Sequence, residues 1–190
     1  SNVCYVPLNE SWGAREIATD ERQKAFARSL YHLTKTLDPT RLISTNDGFE
    51  TVNPTDILGI HDYDAGKAED FQKYAGEKYE DMHPQGFALF AKEEKYEGQP
   101  ALLTEFGGRA MQADAQGEAW GYSGAAANEE EFLKQLESIM QGVHSCNFQG
   151  YCYTQLTDVQ QEVNGLLTAE RKPKADIQKL KPIFGESRRN

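Results

Sequence analysis

Val3-Cys-Tyr-Val-Pro-Leu8 is a short apolar run that passes straight into the polar cluster Asn9-Glu-Ser-Trp-Gly13. The run is too short for a helix and reads as a buried strand; the cluster reads as the loop at its C-terminal end. The same phrasing recurs along the chain. Arg41-Leu-Ile-Ser-Thr45 leads into Asn46-Asp47-Gly48, and Asp56-Ile-Leu-Gly-Ile60 into His61-Asp62-Tyr63-Asp64. Ala101-Leu-Leu-Thr104 leads into Glu105-Phe106-Gly107-Gly108, and Gly150-Tyr-Cys-Tyr-Thr-Gln-Leu156 carries Gln155 and precedes Asp158.

Helical patterns separate these runs. Asp20 to Leu37 places Phe26, Leu30, Leu33 and Leu37 at spacings of four, three and four, which predicts one apolar face, and Asp38-Pro39 stops the helix. A longer region shows a weak helical pattern at Ala68 to Tyr74 and a better one at Phe87 to Tyr96, punctuated by His83-Pro84 and Gly98-Gln-Pro100. Gly107 to Ala127 is rich in Gly and Ala and reads as a loop. Asn128-Glu-Glu-Glu131 fits a capping box, and Phe132, Leu136, Ile139, Met140 and Val143 follow on one side of the helix it opens. A loop from Asn164 to Lys174 and a short helix over Asp176 to Lys181 complete the chain. Five short strands joined by helical crossovers predict parallel βαβ units and an α/β fold. That is either an open α/β sheet or five-eighths of a (β/α)8 barrel. In both, reactive side chains sit just beyond strand C-termini, where all the polar clusters of this chain fall.

Composition limits what such a fold can do. The 190 residues carry 20 Lys+Arg and 30 Asp+Glu, a formal net charge of −10. With charged residues at 26% and aromatics at 11%, the chain has the makings of a folded core rather than a disordered segment. No run of about 18 apolar residues exists, so no membrane helix is expected. The acidic balance argues against nucleic acid as the main partner, because phosphates would be repelled. Cys4, Cys146 and Cys152 cannot all pair within one chain, and Cys4 and Cys152 read as buried thiols. His32, His61, His83 and His144 form no helical ligand pair, so neither a metal nor another cofactor is expected.

Glu10 and Glu105 each follow an apolar strand directly. Partial desolvation there favours the protonated carboxyl and can raise its pKa. A single strand-end Glu reads first as a cap partner or a solvated loop carboxylate. Two of them facing a cleft can divide into acid and base roles, as glycoside hydrolysis requires.

Pro7-Leu8-Asn9-Glu10-Ser11-Trp12-Gly13 resembles the acid/base motif of glycoside hydrolase family 2, which includes β-galactosidases, β-glucuronidases and β-mannosidases. Thr104-Glu105-Phe106-Gly107-Gly108 resembles its nucleophile motif. Gly150 to Asp158, with Glu162, Asn164-Gly165-Leu166 and Arg171-Lys-Pro-Lys174, resembles its last strand and following loop. The resemblance implies a partial TIM barrel in which residues 1–190 supply strands four to eight with their helices, the β-sandwich domains and strands one to three lying outside this sequence. It implies a retaining mechanism with Glu10 as acid/base and Glu105 as nucleophile. Asn9 matches the asparagine that hydrogen-bonds the sugar. Tyr63 lies where related barrels place a tyrosine near the nucleophile, and otherwise packs under a loop. His61 is a candidate for sugar hydroxyls or a structural histidine. Trp12 is read equally as a wall of the cleft or as core. Trp120 and Tyr122 are read as a stacking platform or as anchors of their own loop. Tyr153, Thr154 and Gln155 stand where many members carry a strand-eight tryptophan, which makes Gln155 the candidate for the cleft.

The partner these features imply is a β-linked carbohydrate. A barrel without its first three strands would expose strand edges, so the fragment is expected to be inactive or nearly so, and a homodimer covering those edges is expected. The competing reading is a non-catalytic carbohydrate-binding or scaffold protein on a degenerate barrel. A doubly wound binding protein ranks last, because Asn9 to Gly13 is no phosphate loop. The compartment stays open, with a periplasmic or extracellular location considered for a full-length protein.

Overall fold

The computed structural model describes residues 2–76, 78–111 and 119–185. The chain divides into two compact units. The first comprises Ser1–Asp62, Gly76–Glu105 and Asn147–Tyr151; the second comprises Tyr63–Ala75, Phe106–Cys146 and Cys152–Asn190.

In the first unit the opening apolar run forms two short strands rather than one, β1 (Cys4–Tyr5) and β2 (Leu8–Asn9). The helix α1 (Glu21–Leu37) follows, then β3 (Leu42–Ile43) and β4 (Asn46–Asp47). The pairing is parallel: β1 with β3 through Cys4–Leu42 and Tyr5–Ile43, and β2 with β4 through Leu8–Asn46 and Asn9–Asp47. Asn46 and Asp47, expected in a loop, therefore belong to a strand. The strand β5 (Leu58–Asp62) is buried along its whole length. It lies in a three-stranded sheet with β6 (Ala101–Phe106) and, at the far end of the chain, β9 (Gly150–Tyr151). His61 and Glu105 are thus the ends of strands, not the loops after them. The core of this unit joins Leu8, Ala14, Ile17, Ala27, Val52 and Ala91, with Leu30 packed against it.

Two expectations fail here for visible reasons. The inward face of α1 is Lys24 and Ala27, while Phe26, Leu33 and Leu37 are 48%, 54% and 78% exposed. Ala27 lets the helix approach closely, and the Lys24 stem is buried with its ammonium on the Lys92 carbonyl at 2.5 Å and on Glu21 at 2.8 Å. Phe87 to Tyr96 is not helical. Its backbone instead serves residues 50 and 51: Glu50 N–H donates to Ala88 O at 2.7 Å, Thr51 N–H to Leu89 O at 2.8 Å, and Ala91 N–H to Thr51 O at 3.0 Å.

In the second unit the stretch read as a loop carries two paired strands, β7 (Ala110–Met111) and β8 (Ala125–Ala126); residues 112–118 of that stretch lie outside the described residues. The helix α2 (Glu129–His144) buries Phe132, Leu136, Ile139, Met140 and Val143, the expected side. Asn128 caps it by accepting from Glu131 N–H at 3.0 Å, and the Glu131 carboxylate accepts from Ala127 N–H, one residue short of a standard capping box. The 3-10 segment Ala68–Tyr74 packs on α2, with Ala68 N–H donating to Ser138 Oγ at 3.1 Å. The closing helix α3 (Ile177–Phe184) is capped by Asp176. Cys152 is exposed, not a buried thiol, because strand pairing ends at Tyr151 and leaves its side chain outside any sheet. The described strands form small separate sheets and no closed barrel. Among the described residues, no helix is long and apolar enough to cross a membrane.

Candidate active site

The polar cluster after β2 turns back on itself at once. Glu10 N–H donates to Asp47 O and Trp12 N–H to Asn9 O, both at 2.9 Å. Glu10 and Ser11 both take left-handed backbone conformations, with φ of 51° and 57°. For residues with a Cβ each costs about 1–2 kcal/mol. Ser11 offsets that cost: its N–H donates to Asn46 Oδ1 at 3.0 Å and its hydroxyl to Glu50 Oε2 at 2.5 Å. Asn46 is fixed in turn by donating to the Phe49 carbonyl at 2.8 Å. The turn therefore presents the Glu10 side chain, half-buried, from a backbone held by Asn46 of β4, the partner strand of β2, and by Glu50 just beyond it.

Opposite Glu10 stands His61, fully buried at the end of β5. Its Nδ1 lies 2.7 Å from Glu10 Oε1 and 3.5 Å from Glu105 Oε2, and its Nε2 lies 3.2 Å from Asp47 Oδ2. The ring, a candidate for sugar hydroxyls or for a structural histidine, is thus enclosed among three carboxylates. Two glycines make room. A Cβ on Gly59 would fall 1.6 Å from Asp47 Oδ1, and a Cβ on Gly48, whose φ is +103°, would fall 2.7 Å from His61 Nδ1.

The charges follow from these distances. Burial pushes the imidazole down, but hydrogen bonds to Asp47 and Glu10 and the charge of Glu105 outweigh it and carry His61 up to about 9. The hydrogen bond from His61 holds Glu10 below the usual carboxylate range, with burial opposing. This reverses the expectation that desolvation would raise Glu10. Desolvation is present, but a cation at hydrogen-bonding distance is the larger effect. Glu10, His61 and Glu105 bring one donor atom each within 4.8 Å of one another, a spacing a cation can use. The third of these atoms, His61 Nδ1, already lies against the other two, 2.7 Å from Glu10 Oε1 and 3.5 Å from Glu105 Oε2.

Asn9 is exposed at the end of β2, in the same unit as Glu10, His61 and Glu105. Tyr63, Trp120 and Gln155 belong to the second unit. There Tyr63 stacks on Tyr122 with ring centroids 3.9 Å apart, and Trp120 meets Tyr122 edge-on at 4.9 Å. Trp120 is also tied through its backbone, its N–H donating to Gln161 O at 2.8 Å. Gln155 donates from Nε2 to Asn164 Oδ1 at 2.7 Å. Sequence reasoning missed Asp47, Ser11 and Glu50. Asn46-Asp47 stood out as a polar strand end, but nothing along the chain tied it to a histidine.

The chain matches the sequence profile of the glycosyl hydrolases family 2 TIM barrel domain over residues 9–187. Among solved structures it is similar to a GH2 β-galacturonidase from Eisenbergiella tayi bound to galacturonate. That likeness has a TM-score of 0.58 and 19% identity, over 90% of this chain and 31% of the other. A GH2 β-galacturonidase from the same organism bound to glycerol gives 0.57 and 20%, over 86% and 30%. The agarase AgWH50C gives 0.53 and 17%, over 85% and 25%. A comparison with curated proteins found no match. The chain spans less than a third of the length of these solved chains, and at these identities the likeness is one of fold.

Proposed function

The chain belongs to glycoside hydrolase family 2, and we propose that it carries the carboxylate pair of a retaining β-glycoside hydrolase, with Glu10 as acid/base and Glu105 as nucleophile. The observation that carries this reading is their separation. One oxygen of each lies within 4.8 Å of the other, near the carboxyl spacing of about 5–5.5 Å of retaining enzymes and short of the about 6.5–9.5 Å that inverting enzymes need for a water. Glu105 attacks the anomeric carbon while Glu10 protonates the leaving oxygen. Glu10 then takes a proton from the water that releases the sugar from Glu105. Asn9 binds the sugar beside the scissile bond.

The substrate class is a β-linked carbohydrate, in line with the galacturonate held by the related β-galacturonidase. Sustained turnover by these 190 residues alone is expected to be weak, so single-turnover chemistry is the suitable assay. Incubation with a panel of 2-deoxy-2-fluoro-β-glycosides bearing good leaving groups is expected to add one sugar mass to the chain, on Glu105, and none to Glu105→Gln. Sugar binding without any such adduct would favour a carbohydrate-binding protein instead.

A further inference from the structure

Both ring nitrogens of His61 face carboxylate oxygens, Glu10 Oε1 at 2.7 Å and Asp47 Oδ2 at 3.2 Å. Against two ionised carboxylates, which only accept, each nitrogen would bring a proton. The ring has no exposed surface, and water cannot stand in for either partner. We propose that His61 is the proton store of the acid/base, holding on Nδ1 the proton that Glu10 delivers, and that Asp47 is the positioning residue that keeps the ring charged and aimed. This rests on the reading of Glu10 as acid/base.

A store answers a difficulty at the site. A carboxylate beside an imidazolium is ionised, and an ionised Glu10 cannot act as an acid. The missing proton is one hydrogen bond away. When a sugar covers the pair and excludes water, the neutral pair gains on the ion pair, because desolvation penalises charge. The Nδ1–H bond then breaks and an O–H bond forms on Glu10 Oε1, leaving His61 neutral with its Nε2–H donated to Asp47. Glu10 passes the proton to the glycosidic oxygen as the C1–O bond breaks and a Glu105 oxygen bonds to C1. In the second step water attacks C1, the bond to Glu105 breaks, and the proton from water goes to Glu10 and back to Nδ1. One water is consumed and the protein returns to its starting state.

Asp47 is built for this task. Ser44 Oγ donates to its Oδ1 at 3.0 Å, and the bare α-carbon of Gly59 leaves the space that Oδ1 fills. The charged groups facing the ring are Glu10 beyond β2, Asp47 in β4 and Glu105 in β6, with Asp62 the next residue of β5 itself. Its uncharged neighbours are Phe49, edge-on at 6.4 Å, and Gln85, which donates to the His61 carbonyl at 3.4 Å. The upward shift of the imidazole agrees with this surplus of negative charge.

Long-range 1H–15N NMR on the 15N-histidine-labelled chain, with His61 assigned from the His61→Gln spectrum, tests the store without requiring turnover. At pH 7 both ring nitrogens are expected to be protonated. The titration midpoint is expected well above 6.5, and to fall by about one unit or more in Asp47→Asn. Gly59→Ala, which displaces Asp47, is expected to lower it as well. An Asp47 that does not hold charge on the ring would leave the midpoint in place. A neutral ring at pH 7, or a midpoint unmoved by Asp47→Asn, overturns the proposal; the wild-type spectrum decides by itself if Asp47→Asn does not fold. A neutral ring together with a sugar adduct on Glu105 refutes the store alone. A charged ring with no adduct refutes the glycosidase reading, and the delivery step with it.

Discussion

A proton on His61 is bound more tightly in the folded chain than in the unfolded one, and this ties stability to pH. The folded imidazole sits at about 9 against an ordinary 6.5. The stabilisation is therefore complete below pH 6.5 and is lost as pH rises through about 9, with a size on the order of 3 kcal/mol. Glu10 runs the other way. Its folded pKa is depressed, so its contribution is present above its ordinary 4.5 and is lost as the pH falls through the lowered value. Urea unfolding across pH 5–10 is expected to show an alkaline decline that His61→Gln largely removes; the same slope in both proteins would contradict this. The sequence marked Glu10, His61 and Glu105 because each ends an apolar run. It could not show the sign of the Glu10 shift, since that depends on a histidine 51 residues away, brought near only by strand pairing.

Among the elements, α2 and α1 make opposite cases. Apolar spacing alone found the buried face of α2, because its large side chains are the ones that pack. Phe132→Ala there is expected to cost about 3–5 kcal/mol. The same spacing misled in α1, where alanine and a buried lysine stem form the contact face. Phe26→Ala is accordingly expected to change stability by less than about 0.5 kcal/mol, and chemical denaturation of the two variants side by side checks the contrast. The segment 87–96 could not be read correctly from its pattern, because its backbone partners include residues 18, 50 and 51, distant in the chain. The loop after Tyr151 has its own anchor. Lys174 Nζ meets Asp158 Oδ2 at 2.8 Å, the two side chains being 2% and 9% exposed, and Asp158 Oδ1 also accepts from Gly165 N–H. Asp158→Ala removes the carboxylate from a buried ammonium and is expected to cost about 3–5 kcal/mol, more than exchanging both partners for apolar residues of similar volume.

For the molecule as a whole, parallel pairing and polar residues at strand ends were legible in the order of apolar runs and polar tips. The division into two units was not, because it cuts β6 and each unit gathers three separate stretches of the chain. Membership of glycoside hydrolase family 2 rests on residues 9–187 together, and the chemistry proposed for it rests on two side chains. Mass spectrometry of the intact chain after exposure to 2-deoxy-2-fluoro-β-glycosides, followed by peptide mapping, puts those two to the test. One sugar per chain, bound to Glu105 and absent in Glu105→Gln, is the expected result; a chain left unmodified by every β-glycoside tried, or modified at another residue, would contradict the assignment.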